Sequence, residues 1–213
     1  MDVCTELLIA TRNPGKVAEF RELFASIPNL QLRSMMDVEQ DGWDMPTLVE
    51  DGLTFEDNAR VKAVVTARAT GMLTLADDSG LEVQALNGAP GVHSARYAGL
   101  GACDADNNAK LIQAMENVED DNRQARFCCV LALADPKGPL GDDVHYTTGY
   151  CEGRIASEAS GKGGFGYDPL FVPKGLDKSF AELGSDEKNR RSHRSAAATQ
   201  MCSFLRDYCL KRQ

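Results

Sequence analysis

Apolar positions along this chain fall at helical spacing in separate stretches, with short uninterrupted apolar runs between them, and the alternation predicts an α/β protein. The run "ELLIA" at residues 6–10 predicts a short buried strand. The following "NPGKVAEFRELFASI" predicts a helix with Val17, Phe20, Leu23, Phe24 and Ile27 on one face. Asn13 suits its N-cap and Pro14 its first position. The turn from Thr11 through Arg12, Asn13, Pro14 and Gly15 to Lys16 would then carry free backbone N–H groups, a geometry that receives phosphate. As plain capping it needs no ligand, although a lysine in a first helical turn opposes the macrodipole. A Walker A loop is excluded, because its first Gly and final Ser or Thr are missing.

A second helix is predicted from Phe55 to Thr70, with Thr54 as N-cap, Asp57 as capping-box acid and Gly71 as terminator. Asn58 and Lys62, four apart, share one of its faces. The run "MLTLA" leads as a strand into Asp77 and Asp78. After a loop rich in Gly and Pro, "DADNNAKLIQAMENV" predicts a third helix with Leu111, Ile112 and Met115 apolar, and "EDDN" a solvated connector. Then "RFCCVLALAD" and "VHYTTGYCEGRIA" read as two long strands of an antiparallel hairpin, joined through "PKGPLGDD".

The glycine-dense "SGKGGFGYDPLFVPKG" contains G-x-G-x-x-G, but an extended, proline-bearing segment follows where a dinucleotide site needs a helix. The tail is helical, starting at Ser185 or restarting at Ser192, with Met201, Phe204, Leu205 and Tyr208 on one face. Its beginning is densely basic: Lys188, Arg190, Arg191, His193 and Arg194. A solvated helix face is the plain reading of such a run.

Neighbouring side chains of a strand point to opposite faces, so Asp77 and Asp78 can meet one ligand only where the strand ends and turns, and Ser79 and Gly80 supply such a break. A divalent cation with an anionic substrate would make paired carboxylates tolerable; a solvated turn would need neither.

Composition narrows the classes. The 213 residues, 43% hydrophobic and 26% charged, suffice for one large globular domain or two lobes. With 23 basic against 32 acidic residues the net charge is -9, which disfavours nucleic acid and membrane surfaces as partners. A phosphorylated substrate would need basic groups gathered locally. No apolar run approaches a membrane span and the N-terminus lacks a signal-peptide pattern, so a cytoplasmic protein is expected. The 7 cysteines include no C-x-x-C pair and read mostly as buried free thiols.

In order, "ATRNPGK", "LADDSGLEV", "LNGAPGVHSARYAG", "GGFGYDPLFVP", "KSFAEL" and "EKNRRSHR" closely resemble the inosine triphosphate pyrophosphatase family, from about Leu7 to Ala198. The resemblance implies an α/β fold with a long mixed sheet and flanking helices, forming two lobes around a central substrate cleft. It also implies a homodimer, and Mg2+-dependent hydrolysis of ITP, dITP or XTP to monophosphate and pyrophosphate. By the same resemblance Thr11 to Lys16 hold the triphosphate and Lys62 faces the phosphates. Asp78 is the proton acceptor and a metal ligand, Glu50 and Asp77 complete the metal site, and Ser79 touches substrate. Phe165, Gly166, Tyr167 and Asp168 line the base pocket, with Lys188, His193 and Arg194.

That assignment is chemically coherent. Phe165 can stack on a purine while Lys188, His193 and Arg194 donate to a 6-oxo group, and adenine's 6-amino group would leave those donors unsatisfied at about 1 to 3 kcal/mol each. Two departures from the family pattern stand out: Arg12, which reads as facing solvent, and Asp57, which replaces a glutamate. A phosphatase releasing orthophosphate and a binding sensor without turnover remain as alternatives.

Overall fold

The apolar run at the start of the chain forms β1 (Thr5–Ile9), and the elements that follow are α1 (Pro14–Phe24), β2 (Leu30–Ser34), α2 (Met35–Gln40), α3 (Phe55–Thr70) and β3 (Leu73–Val83). Then come α4 (Asp104–Ala114), β4 (Gln124–Ala134), β5 (Val144–Ile155), β6 (Phe171–Pro173), α5 (Ser185–Arg191) and α6 (His193–Lys211). The structure is a computed structural model and describes residues 4–212. One six-stranded sheet runs in the order β2-β1-β3-β4-β5-β6. It is mixed: β1 pairs parallel with β2 and with β3, whereas β5 and β6 are antiparallel. The expected α/β class with a long mixed sheet and flanking helices is what the chain adopts.

The chain divides into two compact units. The first comprises the chain up to Asp78, Val130–Thr148 and the chain from Ala197; the second comprises Ser79–Cys129 and Gly149–Ala196. In the first unit Leu7, Leu8 and Ile9 of β1, Leu73 and Leu75 of β3, Phe20 and Phe24 of α1, and Met201 and Leu205 of α6 are all buried. Ala59, Ala63 and Ala67 recur every fourth residue along α3 and are fully buried, a stripe small enough for close packing. In the second unit Leu81, Val83, Leu111, Met115, Phe127, Phe171 and Phe180 form one apolar cluster.

Local signals explain the helix ends. Asn13 accepts from Gly15 N and Lys16 N, Thr54 Oγ1 accepts from Asp57 N at 3.1 Å, and Gly71 at φ +67° closes α3 in the left-handed conformation. The Asp57 carboxylate completes its cap differently from a capping box, accepting from the Thr54 hydroxyl at 2.7 Å.

Sequence expectation and structure differ at three points. The short β2 and α2 carry too little buried apolar surface to stand out by periodicity, with only Ser34, Met35 and Val38 buried. Ile112 lies exposed on α4 while Leu111 and Met115 face the core. The tail starts at Ser185 and restarts after Ser192, which is extended between α5 and α6, as its sequence allowed. Above all, β3 does not end before Asp77 and Asp78: it passes through both and through Ser79 and Gly80 to Val83.

Two polar networks secure chain segments. Asp135, fully buried, accepts from Tyr208 Oη at 2.9 Å and from Arg212 Nε and Nη2 at 2.7 and 3.2 Å, so the end of α6 is clamped to the loop after β4. Burial pushes the Tyr208 hydroxyl up to about 12, which keeps it a donor. In the second unit Arg123 is buried without a carboxylate beside it in its hydrogen-bond set. Its guanidinium donates to Ile155 O (2.8 Å), Ala156 O (3.1 Å), Met115 O (3.0 Å) and Val118 O (3.1 Å), tying the exit of α4 to the end of β5.

Removing a donor set of this kind strands buried carbonyls. Arg123→Ala should therefore lower the unfolding free energy by about 3 kcal/mol, read as a drop in the urea midpoint. A loss below about 1 kcal/mol would mean that water replaces the guanidinium at little cost.

Candidate active site

The straight passage of β3 decides what its adjacent carboxylates do. Successive side chains leave a strand on opposite sides, and the two aspartates accordingly bind different lysines. Asp77, 1% exposed in its side chain, takes Lys16 Nζ at 2.8 Å. Asp78 takes Lys62 Nζ at 2.8 Å on Oδ1 and Asn58 Nδ2 at 3.2 Å on Oδ2. The shared turn expected from "DDSG" is thus absent, because each carboxylate already has a counter-charge and the strand has no need to break.

Asn58 and Lys62 reach Asp78 together because they stand one turn apart on α3. Asn58 is aimed from behind: its Oδ1 accepts from Gly52 N at 2.8 Å, leaving Nδ2 for Asp78. A Cβ on Gly52 would lie 2.7 Å from that Oδ1 and 2.8 Å from Asp57 Cβ, so only glycine allows this approach. Gly52 and Asn58 escaped the sequence assignment as site residues. The one available signal was that Asn58 shares a helix face with Lys62.

Lys62 also binds Glu50 Oε2 at 3.1 Å, which places one ammonium between two carboxylates. Burial pushes the Asp78 carboxyl up; Lys62 opposes this, the Glu50 charge adds to it, and the balance lies above the ordinary carboxylate range. Burial also pushes Glu50 up, but Lys62 and Lys16 outweigh it and hold Glu50 below its usual value. Against burial, the charges of Asp78, Asp77 and Glu50 hold Lys62 above its own. Among the described residues no three His, Cys, Asp or Glu side chains gather as a metal-binding group.

The Thr11 to Lys16 turn also differs from expectation. The N–H groups of Gly15 and Lys16 are occupied, both by Asn13 Oδ1 at 2.9 and 3.3 Å, and Asn13 N donates to Thr11 Oγ1 at 3.2 Å. An asparagine N-cap satisfies the orphan donors that a phosphate would have used. Arg12 points outward and pairs with Glu39, in keeping with its solvent reading. Lys16, against the macrodipole on its own helix, is compensated by Asp77 of β3.

The second unit holds the other predicted residues. Asp168, buried, is a hub: its Oδ2 accepts from Phe165 N at 2.8 Å and from Lys188 Nζ at 2.7 Å. Gly164 sits at φ +72°, and a Cβ there would lie 2.0 Å from the same oxygen, so the loop closes only over a glycine. Lys188 Nζ stands 4.5 Å from the centroid of the half-buried Phe165 ring and the Arg194 guanidinium 5.8 Å from it.

Arg194, 2% exposed, also donates to Ser79 Oγ at 3.1 Å. His193 is stacked on Phe127 at 4.7 Å, within the aromatic core. Tyr167 is buried, with its hydroxyl donating to Ser94 O at 2.8 Å and its ionisation pushed up by burial. The basic run is therefore no solvated face at Lys188, His193 and Arg194, all buried, although Arg190 and Arg191 remain exposed.

The first unit thus holds a buried carboxylate–lysine centre on one strand of a mixed sheet, and the second an aromatic ring flanked by cations on a glycine-rich loop. The family model described as the Ham1 family matches residues 7–204. The chain is 51% identical to a dITP/XTP pyrophosphatase of Syntrophobacter fumaroxidans, over 92% of this chain and 79% of that one. It is 44% identical to a dITP/XTP pyrophosphatase of Oceanobacillus iheyensis, over 94% and 98%. A solved HAM1 protein from Coxiella burnetii superposes with TM-score 0.83 at 40% identity, covering 95% of this chain and 99% of the other. The chain belongs to the Ham1 family.

Lys188 and Asp168 form a buried pair, so removing the ammonium takes a counter-charge away from a buried carboxylate. Lys188→Met should lower the unfolding free energy by about 3 kcal/mol, measured by urea unfolding at neutral pH. An unchanged midpoint would show that the remaining contacts of Asp168 compensate for the lost ammonium.

Proposed function

We propose that the chain hydrolyses noncanonical purine nucleoside triphosphates, ITP, dITP and XTP, at the α-phosphorus, releasing the monophosphate and intact pyrophosphate. The observation that carries this reading is the geometry of Asp78, a carboxylate held on both oxygens by Lys62 and Asn58 and pushed above its ordinary range by burial. The activity named for relatives up to 51% identical supports it. A base of raised pKa is better matched to taking a proton from water near neutral pH. In this role Asp78 orients the attacking water and accepts its proton.

Lys62 and Lys16 supply positive charge for the phosphates, whose oxygens would take over or share the ammonium groups now bound to Glu50, Asp78 and Asp77. Mg2+ fits the donors present. Glu50 and Asp78 offer hard carboxylate oxygens, and this cation takes one or two carboxylates and fills its shell with water and substrate oxygens. Bound there it would draw negative charge from the phosphate chain. Asp77, on the other side of β3, is assigned to Lys16 and to the field of the site more than to direct ligation.

Phe165 is assigned to stack on the base, with Lys188 and Arg194 as donors at its rim that match a 6-oxo group and oppose adenine's 6-amino group. Thr11, Arg12, Asn13, Pro14 and Gly15 frame Lys16, and Ser79 is held for substrate by Arg194. The same reading carries a homodimer in the cytoplasm, with one catalytic domain made of both units. Among the described residues no helix is long and apolar enough to cross a membrane.

Two measurements test the reading. In 18O-labelled water with dITP and Mg2+, the heavy oxygen should appear in dIMP, with one pyrophosphate per dIMP and no dIDP. Label in pyrophosphate, or dIDP with orthophosphate, would move the attack to another phosphorus and favour the phosphatase alternative. Asp78→Asn should lower kcat by about a thousandfold while circular dichroism stays unchanged, because it removes a base and not core volume. Wild-type protein that binds dITP without turnover would instead leave a sensor.

A further inference from the structure

We infer that Asp104 and Asn108 of α4 are positioning residues for the base: they hold the Gly166 peptide at both ends and thereby fix the Phe165 ring, an inference that rests on the stacking role proposed for Phe165. Asp104 Oδ2 accepts from Gly166 N at 2.7 Å, and Asn108 Nδ2 donates to Gly166 O at 2.9 Å. The two side chains stand one turn apart on one helix face, which matches the span of a single peptide unit and its neighbours.

Gly166 needs such a hold. It sits at φ +64°, and a Cβ added there would meet nothing within 4 Å, so it has neither a side chain to anchor it nor a wall to rest on. On the other flank Phe165 N is bonded to Asp168 Oδ2 at 2.8 Å, and the next residue, Tyr167, is anchored through its hydroxyl to Ser94 O. With the α4 pair in place, the backbone is pinned before and after Phe165. Without it, the half-buried ring hangs on a left-handed glycine, and ordering it would be charged against substrate binding.

Neither side chain has a better explanation in packing. Asp104 is exposed. Asn108 Oδ1 takes no hydrogen bond among the described residues, so the bond to Gly166 O is the polar contact for which an asparagine is required there. Helix capping is served by a different residue, Asp106, whose Oδ2 accepts from Cys103 N at 2.9 Å. Asp106 therefore provides a control on the same helix start that leaves the Gly166 contact alone.

The experiment measures steady-state kinetics with dITP and Mg2+, and melting temperature, for six variants, Phe165→Ala among them. Asp104→Ala and Asn108→Leu should each raise KM about fivefold with kcat within about twofold of wild type, since stacking on the base is present in ground and transition states alike. Asp104→Asn, whose Oδ1 still accepts, should return KM to near wild type. Asp106→Ala should lower the melting temperature with KM unchanged. Combining Asp104→Ala with Phe165→Ala should give the KM of Phe165→Ala alone, as expected for a residue that acts through the ring.

The inference is overturned if Asp106→Ala raises KM as much as Asp104→Ala, if the double variant is additive, or if Asp104→Ala leaves KM unchanged while Phe165→Ala raises it. If Phe165→Ala itself leaves KM unchanged, the stacking assignment fails first and takes the inference with it.

Discussion

The first unit is organised around one electrostatic constraint: two adjacent carboxylates lie on a buried strand, and neither can stay ionised there without a cation of its own. The period of the strand separates them, and two helices answer, α1 with Lys16 and α3 with Lys62. Each helix is placed by ordinary means, an asparagine cap in one case, a threonine cap and an alanine stripe in the other. The charges they deliver are nevertheless those the proposed polyphosphate substrate would need. On the proposed function, folding and binding would call on the same lysines, and an arriving substrate would compete with carboxylates already satisfied.

The second unit meets a different problem, the ordering of a half-buried ring to which the proposed function gives the base. Phe165 lies on a loop with two left-handed glycines, Gly164 and Gly166, and such a loop has no hydrogen-bond ladder to stiffen it. Stiffness comes instead from side chains that reach in from elsewhere, Asp168 within the loop and Asp104 and Asn108 from α4. The basic run contributes less to surface charge than its composition suggests. Lys188 is drawn inward by Asp168, Arg194 by Ser79, and His193 by the face of Phe127.

Much of this was legible beforehand, and unevenly so. Long periodic helices with caps, such as Phe55 to Thr70, could be read from sequence to the residue, since the cap and the terminating glycine are local signals. The passage of β3 through "DDSG" could not. Turn-forming residues there are overruled by two lysines, Lys16 and Lys62, that are distant in sequence, and local propensity carries no trace of them. Occupation of the Gly15 and Lys16 N–H groups by Asn13 could have been read, because the same asparagine that suited the cap was bound to consume the donors. Gly52, Asn58, Asp104 and Asn108 were hidden for another reason: each acts on a neighbour's orientation, and residue type alone does not say whom a side chain orients.

The clamp at the end of α6 bears on how this polypeptide tolerates shortening. Asp135 lies fully buried beside Gly138, where a Cβ would come within 1.9 Å of its Oδ2, so the carboxylate has no room to swing toward solvent. Its counter-charge and its hydroxyl donor, Arg212 and Tyr208, both sit in the final turns of the chain. Trimming those turns would remove the buried Tyr208 ring together with Arg212 and so strand an anion in the interior of the first unit. The last few residues therefore act as a stopper on a buried charge, and an extension grafted there has to leave the guanidinium seated.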